Sequence, residues 1–121
     1  MALNQKYGKI WGNTQEIFNM NSISIHRIEI LKGGQCSKHY HESKYNMFFV
    51  EKGQIKIDIW QKDYDLVDST ILIDQQSTIV KPGLLHRFTG LEQSICYEIY
   101  YTKLEENDII RQDIGKLISN I

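Results

Sequence analysis

Hydrophobic and polar positions alternate with a period of two along most of the chain. The clearest case is 54–60, QIKIDIW: Ile55, Ile57 and Ile59 share one face, while Lys56 and Asp58 take the other. Residues 22–31, SISIHRIEIL, predict a strand apolar on parts of both faces, broken by Gly33-Gly34. The short apolar run 46–51, NMFFVE, ends before Gly53. Further strands are expected over 69–73, 77–80, 84–89 and 95–102, with turns at Pro82-Gly83 and Gly90. Residues 1–20 show no sustained period, and 61–68 read as a polar turn region.

The tail changes period. Ile110, Ile114, Leu117, Ile118 and Ile121 fall on one helical stripe, with Asn107 or Asp108 placed to cap its start. Gly115 weakens that helix by ~1 kcal/mol relative to Ala. The expected fold is therefore all-β, a sandwich or small antiparallel barrel, followed by a short C-terminal helix.

Composition agrees with this pattern. Ile accounts for 19 of 121 residues, and Pro for one. β-branched excess favours strands. The length suits one domain, 1–121. A formal net charge of -1 and no basic stripe argue against a nucleic-acid partner. No apolar run is long enough to span a membrane, and the first residues lack an apolar signal core. Two cysteines, Cys36 and Cys96, make no disulfide framework. A reduced, cytoplasmic protein is expected.

The candidate chemistry lies in the histidines. His39 and His41 are two apart, and in a strand such residues point to one face. Both imidazoles can then converge on a divalent metal. The same parity turns Cys36 away from them. His86 shares a side with Phe88. The lesser alternative is that His39, His41 and His86 are exposed or hydrogen-bonded histidines without a metal, and His26 reads as a structural one.

These segments resemble a known family. Gly33, then His39-Tyr40-His41, then an apolar strand ending at Gly53 resembles the first cupin motif, and PGLLHRF at 82–88 resembles the second. The resemblance implies a single jelly-roll β-barrel holding a metal through His, His, Glu and His. IWGN at 10–13, IHRIEI at 25–30, QQST at 75–78, PGLLHRF at 82–88 and LEENDIIR at 104–111 occur in one order. That series is similar to the C-terminal cupin domain of type II mannose-6-phosphate isomerases, often fused to mannose-1-phosphate guanylyltransferase. The similarity covers about residues 8–116.

Where the family carries its metal-binding Glu, seven residues before the motif's closing Gly, this chain has Asn46. The implied site is one divalent ion (zinc, manganese, iron, cobalt or nickel) on His39, His41, His86 and Asn46. A sugar phosphate is the implied ligand, with Arg111, Arg87 and Lys44 as candidates to hold it. Isomerisation also needs a proton acceptor, for which Glu42 and Glu98 are candidates. Two other readings stay open. Three His without a carboxylate resembles the iron site of cupin thiol dioxygenases, and a stand-alone cupin can bind a small molecule without turnover. A homodimer is expected, because an open barrel leaves edge strands to cover.

Overall fold

The computed structural model describes residues 5–61, 67–102 and 116–119. Nine strands follow one another: β1 (Lys6–Lys9), β2 (Gly12–Met20), β3 (Ile23–Ile30), β4 (Tyr45–Lys52), β5 (Gln54–Trp60), β6 (Val67–Ile73), β7 (Ser77–Val80), β8 (Leu85–Gly90) and β9 (Ser94–Tyr101). They form a six-stranded sheet in the order β1-β2-β3-β9-β4-β7 and a three-stranded sheet in the order β6-β5-β8. Every strand pair is antiparallel.

The alternation in the sequence becomes the core between the sheets. Ile28 and Ile30 of β3, Phe48 and Val50 of β4, Val80 of β7 and Cys96 of β9 face inward from the larger sheet. Ile55 and Ile57 of β5, Leu72 of β6 and Phe88 of β8 meet them from the smaller one. Trp11 packs its ring edge-on against Phe88 at 4.9 Å.

The segment 34–41 is not a regular strand, yet it lies along β8. Cys36 N–H donates to Phe88 O at 3.3 Å, and Gly90 N–H donates to Gly34 O at 2.8 Å. Gly90 belongs at this crossing: a Cβ there would stand 2.5 Å from Leu31 O. Gly53, at φ 116°, closes the β4–β5 turn where a Cβ would fall 2.2 Å from Ser94 Oγ.

Three expectations need correction. Residues 6–9 and 12–20 do form strands; β2 is held by its ladder with β3 and carries a bulge between Glu16 and Phe18, so its side chains never alternate cleanly. Val67 and Asp68, read as turn, belong to β6, where they pair with Trp60 and Ile59. The two antiparallel sheets agree with the expected sandwich or jelly roll, without one closed hydrogen-bonded cylinder among the described residues. No helix occurs among the described residues, and 116–119 of the expected tail helix are irregular. Leu117 and Ile118 of that stripe are exposed, with no core face beneath them. Asn107, Asp108, Ile110, Ile114 and Ile121 lie outside the described residues. No described helix is long and apolar enough to cross a membrane.

Candidate metal centre

Backbone pairing builds the site. His39 N–H donates to His86 O at 3.1 Å, and His86 N–H donates back to His39 O at 2.9 Å. Directly paired residues on neighbouring antiparallel segments project to one face. Gly83 N–H donates to His41 O at 2.7 Å, which holds the second histidine beside the first. The ring centroids lie 5.2 Å (His39–His41), 4.7 Å (His39–His86) and 5.5 Å (His41–His86) apart. One ring nitrogen from each lies within 4.8 Å of the others. Among the described residues this is the group of His, Cys, Asp and Glu side chains able to share a metal ion.

The second nitrogens are already engaged. His39 Nδ1 lies 2.8 Å from Ser37 O, and His86 Nδ1 lies 2.9 Å from Leu84 O. A carbonyl oxygen only accepts, so both Nδ1 atoms carry a proton, which leaves Nε2 as the nitrogen each ring can offer a metal. This is the arrangement that orients a metal-binding imidazole. His41 Nε2 is buried without a hydrogen-bond partner. Burial holds His41 and His86 below the ordinary imidazole pKa; neighbouring His39 adds to this in both, and the bond to Leu84 O opposes it in His86. They are therefore neutral at pH 7, the form that ligates metals.

Asn46 stands on β4, buried, with Nδ2 3.4 Å from His86 Nε2. Its Oδ1 is buried and unpartnered. A buried amide oxygen without a partner, on a side chain that reaches His86 of a three-imidazole cluster, fits a divalent cation better than an empty core. His39, His41 and His86 would hold it, with Asn46 as a neutral fourth donor.

A cavity of about 310 Å³ opens beside His39. Glu98 of β9 lines it, almost wholly buried, and accepts a hydrogen bond from the Tyr100 hydroxyl. Burial raises the Glu98 pKa, against the opposing pull of Tyr100 and of His39. Burial and the Glu98 charge likewise push the Tyr100 hydroxyl up, and neighbouring Asn46 opposes this. The Tyr100 ring packs edge-on against both His41 (5.0 Å) and His26 (5.6 Å).

The structure gathers some candidates and separates others. His39, His41, His86 and Asn46 come together, and Glu98 joins the adjoining cavity. Glu42 and Lys44 are exposed on the loop after the histidine pair. Lys44 still adds to the lowering of the His41 pKa. Arg87 sits on β8 between the inward residues His86 and Phe88, and its guanidinium lies 5.2 Å over the Trp60 ring, shared with Lys38 at 4.1 Å. Strand alternation turns it away from the site. Arg111 lies outside the described residues. Cys36 breaks the expected parity because its segment is irregular: it lines the cavity with Ser37 and His39 while its Sγ accepts the Phe88 N–H at 3.2 Å. Burial lifts its thiol to about 11, so it stays protonated. Tyr100 and His26 were not legible as site residues. The register that pairs His26 with Glu98, and Asn46 with Tyr100, would have marked them.

No protein-family model matches the chain, and no curated protein does. Its shape is shared with solved structures. KdgF from Halomonas sp. superposes with a TM-score of 0.70 at 11% identity, over 83% of this chain and 89% of that one. The capsular polysaccharide assembling protein CapF from Staphylococcus aureus gives 0.72 at 14%, over 86% of this chain and 32% of that one. An oxalate decarboxylase from Bacillus subtilis gives 0.74 at 11%, over 82% and 27%. The chain thus spans about a third or less of the last two. These neighbours are cupin-fold proteins, and this chain has the cupin fold.

Proposed function

We propose that this protein is a metal-binding cupin that takes a small sugar phosphate beside its metal, with an isomerase-like activity. The observation that carries the metal reading is the set of three imidazoles whose Nδ1 or backbone partners fix them with ligating nitrogens within 4.8 Å. The cupin fold of its structural neighbours supports the same reading.

A bound divalent ion would supply Lewis-acid stabilisation of a developing oxyanion. His39, His41, His86 and Asn46 are all neutral donors, so they leave the ion's positive charge undiminished for an oxygen ligand. Glu98 supplies the acceptor for a carbon-bound proton, since it lines the cavity while Glu42 stays on an exposed loop. The sugar-phosphate part rests on the ordered segments from IWGN to LEENDIIR. Arg87 is turned away from the cavity, so Arg111 and Lys44 remain the proposed contacts of the phosphate beyond it. The homodimer also remains a proposal, supported by the open edges at β1, β7 and β6.

The test is metal content by elemental mass spectrometry, followed by exchange of the C2 proton of mannose 6-phosphate in deuterated water. About one zinc, manganese, cobalt or nickel per chain with exchange supports the reading. Metal without exchange removes the isomerase part. The absence of a carboxylate among the three clustered ligands favours one second reading, a three-His iron oxygenase, which iron together with oxygen consumption would select.

A further inference from the structure

Glu98 is an anomaly of the core. The inward positions of β9 run Ser94, Cys96, Glu98, so an apolar side chain at 98 would continue the packing against Phe48, its partner on β4. A buried carboxyl is unfavourable unless it is paired, and groups of this kind gather where ligands bind. Here the Tyr100 hydroxyl takes Oε2, and a carboxylate has a second oxygen to offer. Tyr100 is paired with Asn46 across β9 and β4, and Asn46 Nδ2 lies 3.4 Å from His86 Nε2, so the Glu98–Tyr100 pair adjoins the candidate metal centre. His26 stands against the Tyr100 ring and is paired with Glu98 across β3 and β9. Among the described residues lining the cavity, Glu98 is the acid and Lys9 the cation.

We infer that Glu98 and Tyr100 form a hydroxyl-binding wall, and that the cavity orients a small hydroxy-carbonyl ligand with its hydroxyls at Glu98 and an anionic end at Lys9. This deepens, and rests on, the proposed reading of the metal site. A wall of acceptors selects hydroxyl donors and repels a phosphate or carboxylate, which makes Lys9 the negative group's contact within the cavity, in addition to the Arg111 and Lys44 proposed above. At about 310 Å³ the cavity is at the small end of ligand pockets, which suits a ligand of few carbons.

The experiment uses two probes, dihydroxyacetone and dihydroxyacetone phosphate. Their binding is measured by calorimetry on the full chain, with and without added zinc, for wild type, Glu98→Leu, Glu98→Gln and Lys9→Ala. Zinc content is read separately for each. The expected result is equal zinc in all four proteins. Glu98→Leu weakens both probes ~10-fold or more, the worth of a hydrogen bond to a charged group. Glu98→Gln weakens both by a smaller factor, because the amide keeps an acceptor and loses the charge. Lys9→Ala weakens only the phosphate probe.

Wild-type protein that binds neither probe overturns the inference, as does either folded Glu98 variant binding both as wild type does. An unchanged phosphate probe in Lys9→Ala overturns the orientation. Zinc content separates the two readings. A chain that takes no zinc but binds both probes through Glu98 refutes the metal site and keeps the wall.

Discussion

His39 and His86 face each other as a directly paired couple, exchanging both backbone hydrogen bonds at 3.1 and 2.9 Å, with their rings 4.7 Å apart. The two residues come from different motifs, and the pairing of an irregular segment with β8 brings them together. The three-histidine cluster is therefore a property of how 34–41 lies on the smaller sheet. Anything that lifts that segment opens the site.

The three imidazoles make a sharp prediction. His86→Ala, His39→Ala and His41→Ala should each lose stoichiometric metal after desalting, while the fold persists by circular dichroism. His26→Ala should keep its metal, since His26 faces Tyr100 and not the three-ring cluster. Full metal in all three ligand variants would reduce the cluster to hydrogen-bonded histidines.

Asn46→Glu should act with opposite signs in the two states. Without metal it places a carboxylate where Asn46 is buried against His86 and the Glu98–Tyr100 pair, so the melting temperature should fall. With metal the new charge becomes a ligand, and affinity should rise ~10-fold or more. A variant whose melting temperature falls equally in both states would show that position 46 does not reach the ion.

Acid should destabilise the metal-free protein. His26, His41 and His86 are held below the ordinary value of 6.5, chiefly by burial. The unfolded chain then binds protons first, so stability is full above about 6.5 and is lost as pH falls through the folded values. Glu98 works the other way. Its raised pKa gives stability at low pH that is lost as pH rises from about 4.5 through the folded value. The fall in melting temperature from pH 7.5 to 5.5 should therefore be larger in Glu98→Gln than in wild type, and Glu98→Gln should be the more stable protein at pH 8. Equal slopes in the two proteins would mean that Glu98 titrates as it does in water.

Phe88→Ala should cost about 3–5 kcal/mol in denaturant unfolding, because Phe88 fills the space between Trp11, Phe48 and the bridging Cys36. It should also lower metal affinity, since its backbone carries the Cys36 segment that places His39. A loss under 1 kcal/mol would place the core elsewhere.

If the edges of the sheets are covered by pairing, light scattering at working concentration should give twice the mass of the chain. A monomer mass would remove the dimer from the proposal.

Much of this protein is legible in its sequence, for a physical reason. Alternation is a local property, so QIKIDIW declares both its type and the Ile55–Ile57 face that becomes buried, while NMFFVE and the last two strands declare their type. Pro82-Gly83 likewise marks its turn, and the spacing of His39 and His41 marks two imidazoles that can converge before any contact is known. Strands held by their partners rather than by a buried face are not declared: β1 and β2 exist through the ladder to β3. The expected strand geometry for His39 and His41 was also not needed, because hydrogen bonds to β8 and to Gly83 converge the rings on an irregular segment. Only the tertiary structure could bury Asn46 against His86 and bring Glu98 and Tyr100 beside them. Those relations depend on which strands become neighbours. That choice is made by long-range pairing and burial, which no local spacing records.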